Sequence, residues 1–451
     1  MRKPSSLVFL GQFTLLTLAL VSCGTQQAAL PAAPQAQQAS TAAQIVTVSV
    51  RAGTTEADLL SRYPGAKVLS LHADEGYAQL LATSQLLAMS QNVAAPALTG
   101  LSLRAQAVAV VATEPDLTLS ANVGSDEAEA QGLTAWAGGQ TAWAGGQTAW
   151  AGGLTGTGGM GALAGNAAAW TKLDLATAQK ADLHLGQGVM VAVLDTGVDV
   201  NHLAFAGKLN TNWGWDYIGN DQDPSEENWA SSGYSKSFGH GTAVTGIILQ
   251  VAPNATIIPY RVLSPNGAGQ LSNIIMAIGD AASKGAKVIN LSLGTTTFSQ
   301  ALKDAVSSAI RSGAVVVASS GNSGDENVSY PARLSGDMQA SLGGGLISVG
   351  SVNLDDKKSG FSTYGPSIDL VAPGEAVATA FPGNQRTNAT GTSFAAPMVS
   401  GAAALAIASG KRDVVALYKA LKATATVSND ASYSGRLGKG TLNIGKMMVS
   451  R

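Results

Sequence analysis

The pattern of apolar and polar positions divides the chain into stretches of different character. Leu7–Val21 is a short, nearly unbroken apolar run behind Arg2 and Lys3, and residues 24–43 show no apolar periodicity. From about Gln44 to Leu119 the pattern is mixed. QIVTVSV alternates with period two, as a strand does. TEADLLSRYP sets Leu59 and Leu60 at helical spacing after a Thr-x-x-Asp cap, AQLLATSQLLAMSQ predicts a helix, and AVAVVATEPDLTL returns to strand. Beyond Trp170, apolar runs rich in β-branched residues predict buried strands: VMVAVLD (189–195), TIIPYRVL (256–263), AKVINLSLG (286–294), AVVVASSG (314–321) and LISVGSV (346–352). They alternate with or precede helical patterns in SNIIMAIGDAASKG, SQALKDAVSSAIRSG and SFAAPMVSGAAALAIAS. Continuous apolar strands separated by helices specify an α/β fold, a doubly wound and mostly parallel sheet covered on both faces, here preceded by a small α+β module. Right-handed crossovers then align the C-terminal strand ends along one edge, where sites form.

Composition changes this picture little. Only 12% of the 451 residues are charged, 53 are glycine, and the net charge of −2 speaks against nucleic acid or an anionic membrane surface as a partner. The N-terminus says more. A basic start and an apolar run too short to span a membrane read as a signal peptide over 1–22, and Leu20-Val21-Ser22-Cys23 looks like a bacterial lipobox. Cys23 is the chain's one cysteine, and lipidation would account for it. The expectation is an exported protein, extracellular or at the cell surface, that meets membrane only through an anchor at Cys23.

The Ala/Gln/Pro-rich residues 23–43 read as a disordered tether, and 44–120 as the small module. In 121–169 a seven-residue unit, TAWAGGQ, recurs around Trp136, Trp143 and Trp150. Two adjacent glycines in each copy oppose a coiled coil, so this stretch reads as a Gly-rich linker. Residues 170–451 form the main domain.

Three places in that domain carry chemistry. Asp195 directly follows an apolar strand and precedes the Gly197 turn, which puts a carboxylate at the sheet's C-terminal edge. His240 lies between two glycines before a small-residue helix, where close approach of another segment is possible. Ser393 opens a second small-residue helix, near unpaired N–H groups and a partial positive charge, with Pro397 just past the first turn. An imidazole to take the hydroxyl proton and a carboxylate to fix its tautomer turn a weak alcohol into a nucleophile. An aspartate at a strand end is also a common helix cap, and a lone histidine is commonly structural, so the three gain meaning together.

In linear order Asp, His, Ser, the segments DTGVD, GHGT and GTSFAAPMVSG make residues 170–451 resemble the subtilisin-like serine proteases. The resemblance implies a serine endopeptidase that cleaves polypeptide substrates through an acyl-enzyme, with Asp195, His240 and Ser393 as the catalytic triad. It gives Asn322, after the strand in VVVASSGNSG, the oxyanion-hole role, and makes Ser292, Leu293 and Gly294 the segment that pairs with extended substrate. Residues 44–120 resemble an inhibitory propeptide, so the chain is expected to be a zymogen held by its own propeptide until cleavage within about 125–169. A catalytically silent binding protein of the same fold is the alternative. A related group with a glutamate in place of the histidine is disfavoured by His240 and Asn322.

Departures from the family pattern are local. GHGTHVAG reads GHGTAVTG here, with Ala243 and Thr245, a change expected to alter packing only. Leu203 and Ala204 stand where the family has a proline and a calcium-binding aspartate, and GIILQVAPNA runs on without the usual calcium loop. No cofactor is therefore expected to be required and no metal site is assigned, although calcium remains a possible ligand of the family. Asp216, Asp221, Asp223, Glu226 and Glu227 read as a solvated acidic loop. His72 falls in the propeptide region, His184 before the first strand, and His202 reads as structural.

Overall fold

The computed structural model describes residues 43–82, 110–121, 148–149, 154–155, 159–160 and 162–450. Cys23, the signal and most of the tether lie outside them, as do Trp136, Trp143, Trp150 and the predicted helix beyond Ala82.

Among the described residues the N-terminal module is a four-stranded antiparallel sheet carrying one helix. Its elements are β1 (Gln44–Ser49), α1 (Glu56–Arg62), β2 (Lys67–His72), β3 (Tyr77–Ala82) and β4 (Val110–Pro115), in sheet order β2-β3-β1-β4. The Thr-x-x-Asp signal is a full capping box. Asp58 N–H donates to Thr55 Oγ1 at 3.2 Å, and Thr55 N–H donates to Asp58 Oδ2 at 2.8 Å. The expected helix beginning at Ala78 is instead strand β3, paired with β1 over its whole length. Its sequence YAQLLA fits either period, and tertiary pairing decides for the strand. A further short strand, β5 (Thr118–Ala121), leaves the module.

Packing of the main domain starts earlier than the expected boundary at 170. Leu163, Asn166 and Ala169 are already buried, ahead of and within α2 (Ala167–Lys172) and before α3 (Leu175–Ala181). Asn166 Nδ2 donates to Gln250 Oε1 (2.9 Å) and to the Ala378 carbonyl (2.8 Å), while Ala378 N–H donates back to Asn166 Oδ1 (2.7 Å). A fully satisfied amide of this kind fixes the segment in place.

The central sheet then forms from β6 (Met190–Asp195), β7 (Trp215–Asp216), β8 (Thr256–Arg261), β10 (Val288–Leu291), β12 (Val315–Ser319), β13 (Leu346–Val352) and β14 (Leu370–Pro373). β9 (Ala268–Gln270) and β11 (Leu293–Gly294) lie outside it. Its seven strands are all parallel, in order β7-β8-β6-β10-β12-β13-β14. Alternate residues serve opposite layers. Val191 and Val193 face a core shared with α4 (His240–Val251) and α8 (Thr392–Ala408). Ala192 and Leu194 face one shared with α5 (Leu271–Ser283) and α6 (Gln300–Arg311). Burial on both faces is why these strands read as unbroken apolar runs. The connections depart from β6 toward both edges, so the crevice at its C-terminal end is the switch point of the sheet. α7 (Ser335–Leu342), the hairpin β15 (Val377–Phe381) and β16 (Gln385–Ala389), α9 (Val414–Thr424) and α10 (Ile444–Val449) complete the domain.

Candidate active site

Asp195 ends β6, and its carboxylate is fixed from two sides: Thr196 N–H donates to Oδ1 at 2.7 Å, and His240 Nδ1 lies 2.7 Å from the same oxygen. Both side chains are wholly shielded from water. A carboxylate only accepts, so Nδ1 carries the hydrogen and Nε2 is left as the basic nitrogen. His240 is the first residue of α4. Close approach of the two elements depends on glycine, since a Cβ on Gly241 would collide with the Gly197 carbonyl.

Ser393 is the second residue of α8 and is also fully buried. Pro397 sits inside the helix four residues later and has no N–H to give to the Ser393 carbonyl. Ser292 replaces that donor, its Oγ donating to the Ser393 carbonyl at 2.9 Å, while Ser393 Oγ donates to the Ser292 carbonyl at 3.2 Å. Asn290 stands behind them, with Nδ2 on Ser292 Oγ (3.0 Å) and Oδ1 accepting from Ser400 Oγ (2.8 Å). The His240 ring packs against Phe394, the neighbour of Ser393, with centroids 5.2 Å apart.

Asn322 follows β12. Its Oδ1 accepts from Thr392 N–H at 2.9 Å and Thr392 Oγ1 at 2.8 Å, which fixes the amide and turns Nδ2 the other way. Nδ2 lies 3.2 Å from where a Cβ on Gly391 would be, at the residue that opens α8. The structure thus gathers the ends of β6, β10 and β12 and the first turns of two helices around one crevice. Leu293 and Gly294 form β11, beside Ser292.

The remaining histidines are occupied elsewhere. His202 Nδ1 accepts from Ala204 N–H (3.1 Å), so Nε2 carries the hydrogen facing the Gln385 carbonyl (3.0 Å), and burial holds the ring's pKa below its ordinary value. His184 contacts Asp182 (2.7 Å) and His72 contacts Ser308 Oγ (3.1 Å).

The acidic loop differs from the expectation of a solvated one. Asp216 is buried and paired with the buried Arg261 at 2.8 Å, and Glu227 reaches the same guanidinium at 2.6 Å. Glu226 sends its carboxylate inward onto Thr196, Gly239 and Thr242. Asp221 and Asp223 do remain exposed, as does Glu227 apart from its contact with Arg261. Sequence reasoning missed these partners, as it missed Asn290, because each lies far away along the chain. At the position of the family's calcium ligand, Leu203 and Ala204 offer no side-chain oxygen.

A family model described as the subtilase family matches residues 186–440. Thermitase of Thermoactinomyces vulgaris is 38% identical over 240 residues, spanning 51% of this chain and 78% of that protein. A thermophilic serine proteinase of Bacillus sp. strain AK1 is 38% identical over 257 residues (54% and 59%), and subtilisin BL of Lederbergia lenta is 38% identical over 229 (49% and 76%). A crystal structure of a cold adapted subtilisin-like serine proteinase aligns at 32% identity and a TM-score of 0.48, covering 57% of this chain and 88% of that one. The chain belongs to the subtilase family, with the α/β fold expected of it, and is a subtilisin-like serine endopeptidase acting on polypeptides.

Proposed function

We propose that Ser393 is the nucleophile, His240 the general base and acid, and Asp195 the group that orients and stabilises the imidazole. The Ser393 hydroxyl proton passes to His240 Nε2 as Oγ bonds to the scissile carbonyl carbon. Asn322 Nδ2 and the Ser393 backbone N–H hold the oxyanion. His240 then gives the proton to the leaving amine, and water releases the acyl group by the same steps in reverse roles. The single observation that carries this reading is the 2.7 Å Asp195–His240 contact, which leaves Nε2 basic, at the sheet edge that also presents Ser393 and Asn322. A fluorophosphonate probe is expected to label Ser393 of the processed protein; a protein that stays unlabelled would be a silent binding module instead.

The finer reading is a zymogen inhibited by residues 44–120. Strand β5 supports it. β5 runs antiparallel between β9 and β11, with Leu119 opposite Gly269, Ser120 opposite Gly294 and Ala121 opposite Leu293, as an extended substrate paired with Ser292–Gly294 would. Glu114 and Asp116 strengthen the docking by capping two helices of the main domain. Glu114 accepts from Ala301 N–H (2.7 Å) and Gln300 N–H (3.0 Å) at α6, and Asp116 accepts from Ser272 N–H (2.8 Å) and Oγ (2.7 Å) at α5.

Leu293 faces Ala121, and Ser292, next in line, carries the carbonyl that receives the Ser393 hydroxyl. The first cut is therefore expected just after the strand, at the Asn122–Val123 bond, ahead of the 125–169 stretch. We further read the protein as exported and lipidated at Cys23, so that this cut frees the catalytic domain from the anchor; the chemistry needs no cofactor. N-terminal sequencing of the chain from medium and membranes checks both points. The wild type should release a form beginning at Val123, and Ser393→Ala should stay whole and membrane-bound. Equal release from both would exclude self-cleavage. A first terminus beyond 125 would separate the cut from β5.

A further inference from the structure

The chemistry above makes no use of Glu226, yet its carboxylate joins the two segments that carry the proton-transfer pair. Oε1 accepts from Thr196 Oγ1 (3.1 Å), Thr242 N–H (3.0 Å) and Thr242 Oγ1 (3.2 Å), and Oε2 accepts from Gly239 N–H (2.9 Å). Thr196 is the residue whose N–H fixes Asp195, and its Oγ1 also accepts from Gly241 N–H at 3.0 Å. Gly239 caps α4 and has no side chain with which to satisfy the helix's first N–H groups, so a carboxylate from a distant loop does so. It also meets the positive end of the helix dipole there.

We propose that Glu226 is a positioning residue for peptide hydrolysis, holding the Asp195 turn and the first turn of α4 in register. Two charged groups act with it. Asp195 at the end of β6 repels its charge, and Arg261 at the end of β8 is drawn to it while pairing with Asp216 and Glu227. Withdrawal from water pushes the Glu226 carboxyl up to about 7, against the pull of the Gly239 and Thr242 N–H groups. It therefore ionises in the range where a histidine does.

The inference rests on the assignment of Asp195, His240 and Ser393, which fluorophosphonate labelling of the wild type tests separately. Glu226→Gln, in the processed full-length product, removes the charge and turns an NH₂ group toward N–H donors. Per labelled site, kcat is expected to fall about 10- to 100-fold with KM within about 3-fold, because misplacing a proton-transfer pair affects the transition state and not substrate pairing. The acid limb of the pH–kcat/KM profile should become shallower, because the wild-type carboxyl, which takes up a proton near 7, weakens its hold on the Gly239 and Thr242 N–H groups as pH falls, and glutamine has no such titration. Glu226→Asp keeps the charge and should return the limb toward its wild-type shape.

Should the Gln variant fail to mature, Thr196→Val decides. It keeps Glu226 but deletes the hydroxyl that links it to Gly241 and the Asp195 turn, and about a 10-fold loss in kcat at unchanged KM is expected. Wild-type kcat and an unchanged acid limb in the Gln variant would overturn the proposal, as would wild-type kcat in Thr196→Val where the Gln variant cannot be obtained. An unlabelled wild type would overturn the triad assignment itself.

Discussion

Ser393→Ala is expected to lower kcat about 10⁶-fold while leaving the fold and KM nearly unchanged. The size follows the loss found when the corresponding serine of subtilisin, a member of this family, is removed, with a residual rate of about 10³–10⁴ over water left to the oxyanion hole and binding. The fold should survive for reasons visible in the structure. What Ser292 holds is the Ser393 backbone carbonyl, which alanine keeps, and the substitution gives up only the 3.2 Å bond from Oγ. His240→Ala should cost about as much, and the double variant no more than either alone, because the two groups act as one unit. The check is steady-state kinetics on a chromogenic peptide with propeptide removed in trans. Activity within about 100-fold of wild type would mean that another group is the nucleophile.

Asn322→Ala is expected to lower kcat about 10²–10³-fold, roughly 3–4 kcal/mol of transition-state stabilisation, with KM little changed. That magnitude also comes from subtilisin. Here the side chain has two jobs on opposite edges: Oδ1 takes the Thr392 N–H and Oγ1–H at the start of α8, and Nδ2 faces the Gly391 side. Asn322→Asp separates them. It retains the acceptor for Thr392 but exchanges the donor for a negative oxygen at the proposed oxyanion position, so its kcat should fall at least as far as the alanine variant's. Asn322→Asp with near-normal turnover would leave only the Thr392 contact as the residue's role.

Much of the fold was legible because both faces of the main sheet are buried. In MVAVLD and VVVAS every residue but the first methionine is fully buried, so composition alone marks the strand. The cap at Thr55 was legible because its partner is three residues away. YAQLLA was misleading for the opposite reason. Its apolar positions satisfy two periods, and pairing with QIVTVS, which precedes it by more than two dozen residues, selects one. The acidic loop misled through charge. Asp216 and Glu226 look like surface residues until Arg261 and the first turn of α4 arrive to meet them. Ser292 was legible as part of a substrate-pairing segment, but its role in replacing the donor missing at Pro397 depends on α8 lying across the end of β10.

By itself, then, the order of residues determined which segments become strands or helices, where glycine permits tight approach, and which three side chains are the candidates for a serine peptidase triad. Those properties depend on neighbours a few positions apart. Only the tertiary structure decided that Asp195 and His240 meet at 2.7 Å across 45 residues, that Glu226 bonds to Thr196, Gly239 and Thr242 beside them, and that β5 pairs between β9 and β11. Hydrogen-bond geometry and the exclusion of water from a carboxylate are properties of assembled surfaces, and they exist only once the parallel sheet has brought its strand ends together.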